Sequence, residues 1–163
     1  MALTTQRPVR VKPHHLVDIV SDLGAAHPAL TPSAYGHALH TVTARILADP
    51  HAVLVIELGP DDICAPCIHN VEGYCDDILD VSYRPAAPVS KGAYNLLIDR
   101  RWCERLGLGQ SDRLAAVNFC ERLLTATADI AGVYVEEPEG YASEKARDLR
   151  EGIRRLLSSA DCG

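Results

Sequence analysis

Aromatic side chains are scarce in this chain: 5% of its 163 residues, with a single Trp and a single Phe. A length of this order fits one domain with one moderate core. That core must be aliphatic, built from Leu, Ile, Val and Ala. Long hydrophobic runs are also lacking. No segment approaches the roughly 18 consecutive apolar residues of a membrane-spanning helix. Arg7, Arg10 and Lys12 are followed by no apolar stretch, so a secretory leader is not expected and a cytoplasmic location is. Basic excess is missing too. The formal net charge of −6 excludes a general nucleic-acid binder, which needs a cationic face to displace phosphate counterions. The local groups Arg100, Arg101, Arg105 and Arg147, Arg150, Arg154, Arg155 read as solvated helix faces. There is no P-loop, no nucleophile elbow and no full dinucleotide fingerprint; Gly107–Leu108–Gly109 reads as a helix C-cap and turn.

What is present is a pattern of helices around one irregular stretch. Pro13 suits the first turn of a helix running to Gly24, after a loose arm over residues 1–9. A second helix is expected over 33–47, with Tyr35, Ala38, Leu39, Val42 and Ile46 at helical spacing. The run Ala52–Val53–Leu54–Val55–Ile56 is the best strand candidate. Three more helices are expected over 94–106, 112–127 and 142–158. The last carries the stripe Ala142, Ala146, Leu149, Ile153, Leu156, and Val133–Tyr134–Val135 is read as a small second strand. The fold class is therefore α+β, predominantly helical, with about five helices and a minimal sheet, and 1–163 read as a single domain. Residues 60–90 hold Pro60, Pro66, Gly73, Pro85 and Pro88 and have no periodicity. A structureless stretch of that length in a compact domain needs an organising centre, and a bound metal supplies one.

The cysteines point to the same stretch. In a reducing compartment six cysteines read as metal ligands, redox groups or buried apolar side chains rather than disulfides. Cys64–Ala65–Pro66–Cys67 puts two thiols on one turn stiffened by proline. Asn70 and Gly73 allow a reversal that returns Cys75 to the pair. Thiolates select zinc, copper(I) or iron–sulfur centres over magnesium or calcium. A thioredoxin-type pair leaves Cys75 unexplained, and a zinc knuckle presents a second ligand pair that is absent here. Three local cysteines plus one remote ligand is an iron–sulfur pattern; zinc is the alternative. Of the remaining cysteines, Cys120 falls on an apolar stripe and Cys162 near the chain end, while Cys103 is either core or a remote ligand. His14, His15 and Asp18 are three or four residues apart on the first helix and can approach one point. His69 lies inside the cysteine loop, where it reads as an orienting neighbour of a ligand. His27, His37, His40 and His51 read as surface residues. Asp61 or Asp62 is expected to cap the turn through its side chain.

The segments Lys12–Pro13–His14–His15–Leu16–Val17–Asp18 and Gly59–Pro60–Asp61–Asp62–Ile63–Cys64–Ala65–Pro66–Cys67, with Cys75 beyond, carry a resemblance. They resemble a small family of bacterial and archaeal proteins described as iron–sulfur binding. Its members open with Arg–Pro–His–His–Leu–Leu–Cys and continue with Gly–Pro–Asp–Asp–Ile–Cys–x–x–Cys and a further cysteine. Asp99–Arg100 and Leu106–Gly107–Leu108 extend the likeness, which spans roughly residues 10–110. The resemblance implies an iron–sulfur cofactor, taken here as [4Fe–4S]. Asp18 stands where relatives carry the first cysteine, so it implies Asp18 or Cys103 as fourth ligand beside Cys64, Cys67 and Cys75, or one iron without a protein ligand. His14 or His15 would lie nearby as a proton donor or alternate ligand, and His69 as an orienting neighbour. An oxygen-ligated iron is exchangeable, which suits a redox or sensing role, or an enzyme taking a small molecule at the open iron. The flanking Asp61, Asp62, Asp76 and Asp77 would disfavour reduction and favour docking of a basic redox partner.

One prediction rests on the sequence alone. Replacing Cys120 or Cys162 with Ser leaves the metal content of purified protein unchanged, as measured by elemental analysis. Loss of metal from either folded variant would reassign the ligands.

Overall fold

The computed structural model describes residues 6–162. Among these, the order is β1 (Val9–Val11), α1 (Pro13–Gly24), α2 (Leu39–Ala48), β2 (Val53–Ile56), β3 (Asn70–Val71), β4 (Tyr74–Cys75), α3 (Lys91–Leu106), β5 (Arg113–Ala115), α4 (Ala116–Ala126) and α5 (Tyr141–Ala160). The fold is α+β and predominantly helical, with five helices, as the periodicity predicts.

β2 is the centre of a three-stranded sheet. β1 pairs with it in parallel, Val9 opposite Leu54 and Val11 opposite Ile56; β5 pairs antiparallel, Leu114 opposite Leu54. A parallel pair needs a long crossover, and α1 and α2 provide it. Val9, Val11, Leu54 and Ile56 are buried and meet Trp102 and Phe119 in one apolar cluster that draws on all five helices. The single Trp and the single Phe thus sit in a core that is otherwise mostly aliphatic.

Three expectations are corrected. The loose arm over residues 1–9 does not extend to Val9, which is a buried strand residue, because β1 bonds to β2; residues 1–5 of that arm lie outside the described residues. The second helix begins at Leu39, not residue 33. Residues 33–38 instead form turns, including Gly36 at φ 71° and an Ala38 N–H bonded to the Ile63 carbonyl. Val133–Tyr134–Val135 is a set of turns rather than a strand. Val133 and Tyr134 are buried there, with Trp102 Nε1 donating to the Tyr134 hydroxyl at 3.1 Å.

α1 and α5 pack with their backbones in direct contact. A Cβ on Gly152 would overlap the Val20 carbonyl, and one on Gly24 would overlap the Asp148 carbonyl. The stripe Ala146, Leu149, Ile153, Leu156 is buried as expected, against Leu16, Val17 and Val20 of the same core. A second tie fixes α1. Asp99 of α3, fully buried, accepts from the His14 backbone N–H at 2.8 Å and lies 2.9 Å from His14 Nδ1 with both oxygens. Burial pulls the His14 imidazole down, and the charge of Asp99 outweighs it, holding the ring above its usual value.

The helix crossing yields a prediction. Gly152→Ala destabilises the protein by about 3 kcal/mol, despite the better helix propensity of alanine, because the methyl group meets backbone that cannot yield. Urea unfolding measures it. A stability equal to wild type would mean that the two helices are not in backbone contact.

Candidate metal centre

The site begins at the β1–α1 junction. Residues 59–64 run back along β1: Asp62 N–H donates to the Arg10 carbonyl at 3.0 Å, and the Asp62 carboxylate accepts the Arg10 N–H at 2.9 Å. This places Asp61 beneath the first turn of α1, where it is 3% exposed. Its Oδ2 accepts the Lys12 N–H at 2.8 Å and lies 2.7 Å from His15 Nδ1. Its Oδ1 accepts the Cys64 N–H at 2.9 Å. The expected side-chain cap of the turn is therefore present, and it also holds a histidine. Burial pushes the Asp61 carboxyl up. The charge and hydrogen bond of His15 and the two backbone donors outweigh that and hold it far below the usual carboxylate range. Burial, followed by the charge of His14, pulls the His15 imidazole down. With its ring neutral, His15 donates its Nδ1 proton to the ionised Asp61 carboxylate, and Nε2 is then the unprotonated nitrogen.

The cysteine loop closes through short local bonds. Cys67 N–H donates to the Cys64 carbonyl and Asn70 N–H to the Cys67 carbonyl. β3 and β4 are joined by Glu72–Gly73, both at positive φ (50° and 85°), the requirement of the tightest hairpin turn. Asn70 pairs with Cys75, so the reversal returns Cys75 beside the first two cysteines. A cavity of about 200 Å³ is lined by Cys64, Cys67, Cys75, His15, His37 and His69, among others. A smaller one shares the three cysteines and His69 and is also lined by Lys12 and Asn70. All six cysteines are free. Burial and then the charge of Asp61 push the Cys64 thiol up to about 11, so a metal must displace its proton on binding.

Among the described residues, the ligand atoms of His15, Asp61 and Cys64 form the one group of three or more lying within 4.8 Å of one another. The three cysteine sulfurs do not converge that tightly.

The other expected ligands lie elsewhere. Asp18 does not line the cysteine cavity; its Oδ1 accepts from Lys145 Nζ of α5 at 2.6 Å. His14 faces Asp99. The physical reason is helical rotation. Position 15 lies about 100° round the helix from 14, and it is His15 that turns to the cysteine loop while positions 14 and 18 turn to α3 and α5. Cys103 is buried in the apolar core, and burial, followed by the charges of Asp99 and Asp112, pushes its thiol up to about 11. Cys120 is likewise a core residue and Cys162 is exposed. His69 lines both cavities with its Nδ1 2.8 Å from Asp76, an orienting partner.

Tyr35 and His37 also line the cavity, although the sequence marks them as surface or helix positions. They arrive through the Ala38-to-Ile63 bond and an Ile68 N–H to Tyr35 carbonyl bond. Both are long-range pairings that leave no local signal.

No family model, no curated protein and no solved structure matches the chain; the likeness described above therefore rests on its motif residues. No helix among the described residues is long and apolar enough to cross a membrane.

Asp61 gives the testable consequence. Asp61→Ala lowers stability by roughly 3 kcal/mol at neutral pH, since two backbone donors and a histidine lose their acceptor. A carboxyl with a depressed folded pKa stabilises above its unfolded value of about 4 and loses that contribution as pH falls through the folded value. The difference between variant and wild type in urea unfolding therefore shrinks in acid. A difference that is constant with pH would show that Asp61 is not ionised in the fold.

Proposed function

We propose that this chain binds an iron–sulfur cluster through Cys64, Cys67 and Cys75, with His15 as the fourth ligand. The observation that carries the reading is that these four side chains line one cavity. The donor set is chemically apt, with three soft thiolates and an imidazole. A histidine that ligates through one nitrogen and donates its other N–H to a carboxylate is the usual arrangement at metal centres, and Asp61 takes the second role. Two features favour a cluster over a single ion. A tetrahedral zinc with bonds of about 2.3 Å draws its sulfurs to about 3.8 Å apart, closer than the three cysteines approach. The cavity of about 200 Å³ also far exceeds the ~10–15 Å³ that one water requires, so it admits a polyatomic group. Asn70 Oδ1, buried beside the cysteine loop, accepts no hydrogen bond among the described residues, as expected of a residue whose neighbour is not a protein atom. The motif resemblance points to the same cofactor.

Such a cluster supplies one-electron chemistry or a redox-sensitive signal. The chain's own residues define how it is used. Asp61 fixes His15 and so the imidazole ligand. His69, braced by Asp76, lies at the cavity wall, positioned to hold a proton near the centre. The exposed side chains Ile68, Val71, Tyr74 and Ile78 beside Asp76 and Asp77 form an apolar and acidic rim, suited to a redox partner with a basic surface.

A second reading has its own observation. The ligand atoms of His15, Asp61 and Cys64 lie close enough for one zinc ion. Against it, both Asp61 oxygens already accept hydrogen bonds, Oδ1 from the Cys64 N–H and Oδ2 from the Lys12 N–H.

Anaerobic purification with iron, zinc and acid-labile sulfide analysis separates the readings. Brown protein containing iron and sulfide is expected, with the absorption spectrum altered in His15→Ala and retained in Asp18→Ala and Cys103→Ser. Colourless protein with stoichiometric zinc would overturn the cluster. A spectrum lost in Asp18→Ala or Cys103→Ser but kept in His15→Ala would move the fourth ligand.

A further inference from the structure

The chain has three lysines. Lys91 is paired with Asp77 at 2.7 Å and Lys145 with Asp18 at 2.6 Å. Lys12 is different. It is 7% exposed, and among the described residues its ammonium makes no ion pair and no side-chain hydrogen bond. No ion pair accounts for a lysine at this position, and α1 gains nothing from one at its N-terminal cap, where a positive charge opposes the helix dipole.

Lys12 lines a cavity of about 390 Å³ to which Cys75 contributes and His15 does not. Across that cavity stands the N-terminus of α3, which contributes Ser90, Gly92 and Ala93 to the wall. α3 has 16 residues and therefore a full dipole. Its Ser90 side chain accepts the Ala93 N–H, whereas the Gly92 N–H has no acceptor among the described residues. Gly92 is held there by Cys75: a Cβ on it would stand 3.2 Å from the Cys75 carbonyl oxygen. The backbone at this helix end is thus bare beside the metal-binding loop. Two independent sources of positive potential, an unpaired ammonium and a helix N-terminus, face one space that Leu58, Pro60, Tyr74, Cys75 and Leu96 also line.

We infer that this cavity is a binding site for one small oxyanion group, a carboxylate or phosphate borne by a small-molecule ligand. Lys12 supplies the charge, and the Gly92 N–H supplies a directed donor at the helix end, where anions bind by dipole and free N–H together. The apolar walls take the body of the ligand, and its anionic end lies beside Cys75. The site is built by Lys12 and α3 and does not depend on which metal the cysteines hold.

Calorimetric titration of the protein as purified under anaerobic conditions, with inorganic phosphate and separately with malonate, tests the inference. Saturable one-to-one binding of at least one of them is expected, and the tighter of the two identifies the oxyanion class. Lys12→Met weakens it roughly tenfold or more, and Lys12→Arg restores most of it. Leu96→Trp, which fills the cavity without touching any charge, also weakens it and serves where Lys12→Met does not fold. If neither anion binds, Lys12 is only a counter-charge to the neighbouring thiols and the inference fails. Binding unchanged in Lys12→Met, or in Leu96→Trp, overturns it as well. Because iron and sulfide content is measured on the same samples, loss of the cluster and loss of the anion site are read separately.

Discussion

The buried carboxylate of Asp61 joins the two halves of this protein that matter to its chemistry. It accepts the backbone N–H of Lys12, where β1 gives way to α1, and that of Cys64, where the cysteine loop begins, and it contacts the imidazole of His15 between them. A carboxylate with three donors can stay ionised at 3% exposure. Beside it, the polar ties between this part of the chain and residues 61–67 are, among the described residues, the paired bonds between Arg10 and Asp62 and the long Arg7–Asp62 ion pair. Of residues 61–67, Ile63 alone joins the apolar core. The cysteine loop contributes little to the core, and its exposed Ile68, Val71 and Tyr74 bury almost nothing.

Much of the scaffold was legible in the sequence because helical periodicity is a local signal. α1, α3, α4 and α5 and the strand β2 follow from spacing, Pro13 and Gly107. The errors have a common cause in long-range pairing. β1 and β5 are three residues each and exist only through β2, so no local pattern announces them. Residues 33–38 carry helical spacing, yet they bond instead to Ile63 and Ile68 of the cysteine loop. The turn at Glu72–Gly73 was foreshadowed by its glycine, and with it the return of Cys75 to Cys64 and Cys67.

The candidate ligands show the same division. The three cysteines were readable because their spacing is local. The choice among His14, His15 and Asp18 was not, since all three are polar, close in sequence and at the same helix end. Which face of α1 meets the loop depends on the Gly24–Gly152 crossing with α5 and on Asp99, both remote in sequence. Lys145 draws Asp18 away for the same reason. Lys12 carries no sequence signal at all; its burial without a partner emerges only when β1, the cysteine loop and α3 are brought together.

The account turns on His15 acting through Nε2 with Asp61 behind it. Pulsed electron paramagnetic resonance of the anaerobic, dithionite-reduced protein tests this directly. We expect a strongly coupled nitrogen from a coordinated imidazole that disappears in His15→Ala and persists in Asp18→Ala. A reduced cluster with no such nitrogen coupling, or one whose coupling survives the loss of His15, would contradict it.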